Sequence, residues 1–181
     1  MTDGPPVELR GALVRLRPVA RADVPVLRGF LDEPAVGRWW PPPPVGEDFP
    51  FDEPDRVVLA VEADGAVAGL VQFAEEFEPD YRHASIDLFL GTAFHGRGLG
   101  PDVLRTVVRH LVVDRGHHRI TIDSAVANER AVAAYRRVGF RDVGVLREHE
   151  LDHATGTWRD GLLMDLLARD LGLTPGPVRR G

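Results

Sequence analysis

The sequence predicts an α/β domain, and three observations predict it. The apolar run Ile86-Asp87-Leu88-Phe89-Leu90 leads into a glycine-rich turn, His95-Gly96-Arg97-Gly98-Leu99-Gly100. That turn leads into a helical stripe in which Val103, Val107 and Leu111 lie beside Leu104, Val108 and Val112. A second strand-to-helix unit follows, with Ile120 and Ile122 on one strand face, Asn128 in the N-cap position, a stripe of Ala131, Val132, Ala134, Tyr135 and Val138, and Gly139 as a C′ glycine before Phe140. Upstream, residues 56–62 and 66–74 read as a hairpin closed by Asp64-Gly65 in a type I′ turn.

In chain order, residues 1–8 read as a loose end and 9–18 as a strand or short hairpin bent at Gly11. Asp23 is expected to cap a helix running to about Leu31, and Pro34 breaks it ahead of a turn carrying Arg38-Trp39-Trp40. The prolines at 41–44 fit neither a helix nor an inner strand, and open an exposed loop with Glu47, Asp48, Asp52, Glu53 and Asp55. After the hairpin, 75–81 is an acidic connection and 82–90 a strand. Strands near 140–151 and 157–167 close the fold. Residues 1–170 are expected to form one domain and 171–181 a disordered tail.

Composition bounds the chemistry. A chain of 181 residues can bury a full core. No apolar run reaches membrane length, no basic-then-apolar leader opens the chain, and the absence of Cys fits a cytoplasmic setting. A net charge of −6 argues against nucleic acid and favours a cationic partner. Cys and Lys are both missing, so there is no thioester nucleophile and no Schiff base; the two serines, Ser85 and Ser124, lie outside any Gly-x-Ser-x-Gly. Direct attack by a substrate amine on a bound thioester needs no enzyme nucleophile and survives this filter.

The glycine turn reads as an anion site. Glycines let the backbone approach closely, and free N–H groups at the helix start face a pyrophosphate. It is not a Walker A loop, which requires Lys, nor the dinucleotide fingerprint, since Pro101 stands at the third glycine position. Pro101 suits a first helical turn.

At this point the chain resembles the GNAT superfamily of acyl-CoA-dependent N-acyltransferases. The residues that carry the resemblance are His95-Gly96-Arg97-Gly98-Leu99-Gly100, Asn128-Glu129-Arg130-Ala131 and Tyr135-Arg136-Arg137-Val138-Gly139-Phe140; His95 stands where the family loop usually has Gln or Arg. The resemblance implies a mixed, mostly antiparallel sheet flanked by helices, with acyl-CoA in the cleft between two splayed parallel strands. It implies acetyl-CoA as co-substrate, no metal, backbone contacts from Leu88, Phe89 and Leu90, phosphate contacts from residues 95–100, and Asn128 on the CoA arm. It also implies Tyr135 as the acid that protonates the leaving thiolate.

The acceptor side rests on Asp87, a carboxylate interrupting an apolar strand, and on Asp123, which ends the next strand. Both are expected to face the amine, and one of the two to orient it and take its proton. Glu75, Glu76, Glu78 and Asp80 form an acidic run that would concentrate a polycation at the lip of such a site. Trp39 and Trp40 are expected to offer a flat ring to a sugar or a cation. Within the superfamily this set most resembles aminoglycoside 6′-N-acetyltransferases, which implies a small polycationic amine acceptor and a monomer or homodimer. Protein N-terminal acetylation, as in ribosomal-protein acetyltransferases, and a non-catalytic CoA-binding module are the competing readings. His149-Glu150-Leu151-Asp152-His153 spells His-Glu-x-x-His, but its neighbours read as strand and turn, where that zinc motif does not operate.

Overall fold

The computed structural model describes residues 7–40, 43, 48–52 and 54–177. Its strands are β1 (Leu9–Arg10), β2 (Arg15–Pro18), β3 (Arg56–Ala63), β4 (Ala66–Glu76), β5 (His83–Leu90), β6 (Arg119–Ala125), β7 (Arg141–Asp152) and β8 (Thr157–Leu167). Its α-helices are α1 (Val24–Leu31), α2 (Pro34–Gly37), α3 (Leu99–Arg109) and α4 (Glu129–Val138). The strands form one sheet in the order β1-β2-β3-β4-β5-β6-β8-β7. Every neighbouring pair is antiparallel except β5 and β6, which run parallel.

Local chemistry explains the elements. The hairpin between β3 and β4 turns at Asp64 (φ 52°) and Gly65 (φ 78°), the two positive values a type I′ turn demands. Asn128 caps α4 by accepting the Ala131 N–H through Oδ1 at 3.3 Å, and Gly139 ends it in the left-handed region (φ 118°). The two faces of β5 divide as strand alternation requires. Ile86 joins Val103, Leu104 and Val107 of α3 and Val132 of α4 in the larger core, while Phe89 joins Leu27 and Val36 in the smaller core under α1 and α2.

Asp23 does not cap α1 as expected. It sits in a 3-10 turn (Arg21–Asp23), accepts the Ala20 N–H at 2.8 Å and pairs with Arg17. The carboxylate is spent on the turn that precedes the helix.

Asp102, in the first turns of α3, ties the N-terminal hairpin to this helix. Its carboxylate accepts the N–H groups of Ala12, Leu13 and Val14 at 3.2, 2.7 and 3.1 Å. Gly11 is required at the bend, because a Cβ there would lie 2.4 Å from Asp102 Oδ2. Asp102→Ala strands these donors and is expected to cost about 2–3 kcal/mol, with a fall in Tm of about 4–10 °C by thermal denaturation. Asp102→Asn, which keeps one acceptor oxygen, is expected to recover part of the loss.

The expected disordered tail is corrected for residues 171–177. Leu173 packs on the core and the Gly176 N–H donates to Val112 O at 3.0 Å. A Cβ on Gly176 would lie 2.0 Å from Val113 O, so glycine's small size is what lets this segment dock. Residues 178–181, the first six residues and most of the proline loop (41, 42 and 44–47), with Glu53, lie outside the described residues.

Candidate active site

β5 and β6 share a ladder only at Ala84–Ile120 and Ser85–Thr121. Beyond these two rungs the strands part, and a cavity of about 690 Å³ opens between them. Its size suits a small-molecule site.

On one side lies the glycine turn. Gly96 (φ 73°) and Gly98 (φ 78°) hold left-handed backbone that L side chains rarely adopt, and Gly98 is the N-cap residue of α3. The first N–H groups of this 11-residue helix therefore face the cavity wall formed by Gly96, Gly98, Leu99 and Gly100. Strand alternation adds two more donors. The Gly91 N–H donates to Ala68 O of β4 at 2.9 Å, while Leu90 O faces the other way and takes His95 Nε2 at 2.7 Å. The N–H groups of Leu88 and Leu90 thus point into the cleft, on the unpaired edge of β5.

Three expected contacts change. Phe89 turns its backbone to β4, where a Cβ on Gly69 would lie 2.1 Å from Phe89 O, and its ring packs on Trp40 at 4.9 Å. Its expected backbone contact with the acyl donor is withdrawn. The Arg97 side chain leaves the loop for Asp64 and the Phe94 ring, so only its backbone remains available to an anion. His95 has both nitrogens engaged: Nε2–H donates to Leu90 O, and Nδ1 accepts from Arg130. Burial, with the Arg130 charge, pushes its pKa down, and the ring stays neutral at pH 7.

Arg130 belongs to the Asn128–Ala131 motif but received no role of its own from the sequence. A cation in the first turn of α4 opposes the helix dipole, and this one lines the cavity beside the glycine turn. That mismatch is the signal by which it could have been found: the position calls for an anion. Helix-start N–H groups, two cleft-facing strand donors and a guanidinium together fit a phosphate-bearing thioester.

The other half of the cavity brings Asp87, Asp123 and Tyr135 together. Asp87 accepts Arg56 Nη1 at 2.7 Å and lies 3.5 Å from Gln72 Nε2. Asp123 is half-buried and faces His149 Nε2 at 3.3 Å. Burial first, and then the Asp87 charge, push the Asp123 carboxyl above the usual range, while His149 opposes the shift. Tyr135 is 8% exposed. Burial, with the charges of Asp87 and Asp123, holds its phenol well above the ordinary value, so the hydroxyl keeps its proton.

Trp39 and Trp40 both line the cavity. Trp40 is anchored by Phe89, whereas the Trp39 ring already carries the guanidinium groups of Arg38 (4.5 Å) and Arg159 (5.1 Å). Arg159 is held in turn by Glu150 at 2.8 Å and by Arg38 O at 2.8 Å.

The acidic run is not part of the site. Glu76 pairs with His83 at the opposite end of β5 from Leu90, so Glu76, Glu78 and Asp80 lie away from the cavity and do not line it. Glu76 instead accepts the Glu78 N–H at 2.8 Å. Glu75 is buried in an ion cluster with Arg115 (2.9 and 2.8 Å) and His117 (2.8 Å).

The cavity thus lies between a splayed parallel pair of strands, with the helix start of the glycine turn on one side and two carboxylates on the other. The model of the acetyltransferase (GNAT) family matches residues 27–140, and the chain belongs to that family. It is an acetyl-CoA-dependent N-acetyltransferase. Spermidine N(1)-acetyltransferase of Escherichia coli K12 is 25% identical over 160 residues, covering 83% of this chain and 84% of that protein. Among solved structures, Mycobacterium smegmatis RimJ in complex with CoA-disulfide superposes with a TM-score of 0.77 at 23% identity, over 93% of this chain and 90% of that one. Vibrio cholerae spermidine N-acetyltransferase in complex with CoA and spermine gives 0.73 at 21% identity, over 88% and 98%. Among the described residues no helix is long and apolar enough to cross a membrane.

Proposed function

We propose that this chain acetylates a primary amine of a small polycationic acceptor, by direct attack in a ternary complex in the cytoplasm. The observation that carries the reading is that Asp87 and Asp123, from two different strands, line one cavity together with Tyr135. Two carboxylates at one end of the cleft attract and orient an ammonium group. The donor binds through the N–H groups of residues 96–100, with Arg130 and the Asn128 end of α4 beside them. The Leu88 and Leu90 N–H groups hold the thioester carbonyl, where charge builds as the amine attacks. Tyr135 supplies the proton to the departing sulfur; its hydroxyl makes no other hydrogen bond among the described residues.

The finer reading is a 6′-amine of an amino sugar, supported by the two tryptophans lining the same cavity. The second is a polyamine, favoured by the likeness to spermidine N(1)-acetyltransferase. Free-thiol release from acetyl-CoA separates them, and the Cys-free chain adds no background. The panel is spermidine, aminoglycosides with a 6′-amine, matched ones with a 6′-hydroxyl, and short peptides. Turnover confined to the 6′-amine drugs selects the first reading and turnover on spermidine the second; turnover on peptides alone discards both. Tyr135→Phe is expected to lower kcat about 10–100-fold with the Kd for CoA within twofold by calorimetry.

A further inference from the structure

The proposal above leaves open where the proton of the attacking amine goes. The carboxylate nearest the problem, Asp123, is not alone. His149 Nε2 lies 3.3 Å from Asp123 Oδ2, and both side chains line the cavity. We propose that His149, held by Asp123, is the base that takes the acceptor's proton, with Asp123 as its positioning residue.

Three features of the chain aim this imidazole. The register of β7 against β8 slips between Leu146 and Glu150: Leu146 faces Gly161 and Glu150 faces Arg159, so three residues of β7 oppose Asp160 alone. Glu148 takes φ 49° in this bulge, a value uncommon for a side-chain-bearing residue, and its N–H is fixed by Asp160 Oδ1 at 2.8 Å. Such bulges re-aim a side chain, and here the re-aimed residue is His149. Beside the bulge on β8 stands Gly161, where a Cβ would lie 2.8 Å from His149 Cδ2 and 3.2 Å from Cγ. The Cδ2 edge of the ring rests on the glycine, so the Nδ1 edge is turned away from β8. Nδ1 takes no hydrogen bond from any described residue.

The arrangement settles a tautomer. A carboxylate beside Nε2 favours the proton there and leaves the lone pair on Nδ1. Around the ring stand Asp123 with Asp87 behind it, Glu150 with its Arg159 partner, and Asp160 at the bulge. The acceptor ammonium gives one proton to Nδ1. The amine nitrogen then bonds to the thioester carbonyl carbon, the carbon–sulfur bond breaks, and the electron pair leaves on sulfur, which takes a proton from Tyr135. The second amine proton leaves as the amide forms and restores Tyr135 through solvent; the imidazolium proton is the one released overall.

This inference rests on the acceptor end of the cavity being where the proposed function puts it, and the test separates the two. In the full chain labelled with 15N-histidine, two-bond proton–nitrogen correlation reads which nitrogen of the neutral His149 ring carries the proton, the signal being assigned by its loss in His149→Gln. The expected result is Nε2–H with a bare Nδ1, and loss of that preference in Asp123→Asn; a ring protonated at Nδ1 overturns the proposal. With spermidine as the first acceptor, and otherwise the panel amine that wild type acetylates, His149→Gln and His149→Ala are expected to lower kcat about 10²–10³-fold. KM and the Kd for CoA should stay within about threefold, and added imidazole should restore part of the His149→Ala activity. A kcat within about threefold of wild type, or a loss that imidazole leaves untouched, overturns it. Wild type inactive on every amine, with the tautomer as expected, faults the acceptor reading and not the pair.

Discussion

Asp87→Asn lowers kcat/KM for the amine about 100-fold and leaves the Kd for CoA within twofold. The substitution keeps the size and one oxygen of the side chain and removes its charge. That charge acts at the acceptor end of the cavity: it raises both the Asp123 carboxyl and the Tyr135 phenol, which places all three groups within electrostatic reach of one another. The donor contacts lie elsewhere, on the glycine turn and on the backbone edge of β5. Loss of amine turnover with donor affinity intact is therefore the signature of an acceptor residue, and an interaction lost at an ammonium site supplies a few kcal/mol. Steady-state kinetics with calorimetric CoA titration checks it. Equal loss of turnover and CoA affinity would mean that Asp87 supports the strand and not the substrate.

Glu75→Ala is expected to destabilise the fold by about 3–5 kcal/mol, with a Tm about 10 °C lower, because it strips the carboxylate partner from Arg115 and His117 in a buried cluster. The Glu75 side chain is 9% exposed and that of His117 0%. Burial alone would raise the Glu75 carboxyl, but hydrogen bonds from His117 and Arg115 outweigh it and hold the group below the usual range. A carboxyl lowered by folding stabilises the native state above its unfolded value of 4.5, and the contribution is lost as pH falls through the folded value. The gap between wild type and Glu75→Ala should thus be full at pH 7 and close in acid, as read by thermal denaturation against pH. A gap unchanged at low pH would make the effect one of packing.

The parts of this fold legible in the sequence are those set by local chemistry. Asp64-Gly65 supplies positive φ to a turn, Asn128 and Gly139 bracket a helix, and the alternation of Ile86 with Asp87 and Phe89 assigns the two faces of β5. Each depends on residues a few positions apart. What escaped depends on distant partners. A run of acidic residues looks alike whether it borders a site or not, and only the register of β4 and β5 shows that Glu76, Glu78 and Asp80 lie away from the cavity. Glu75 belongs to the core through Arg115 and His117, some 40 positions on. His149 sat inside a zinc-like motif, and its place beside Asp123 depends on a bulge and on a glycine across the ladder. Residues 171–177 read as part of a disordered tail, yet Gly176 is small enough to dock on Val113.

The most direct test of the central claim is mass spectrometry of wild-type protein after reaction with acetyl-CoA and the panel amines. The account predicts one acetyl group on a primary amine of a cationic acceptor, none on the protein, and free thiol released in equal amount. An acetylated protein with no acetylated amine, or thiol release that no amine accelerates, would contradict it.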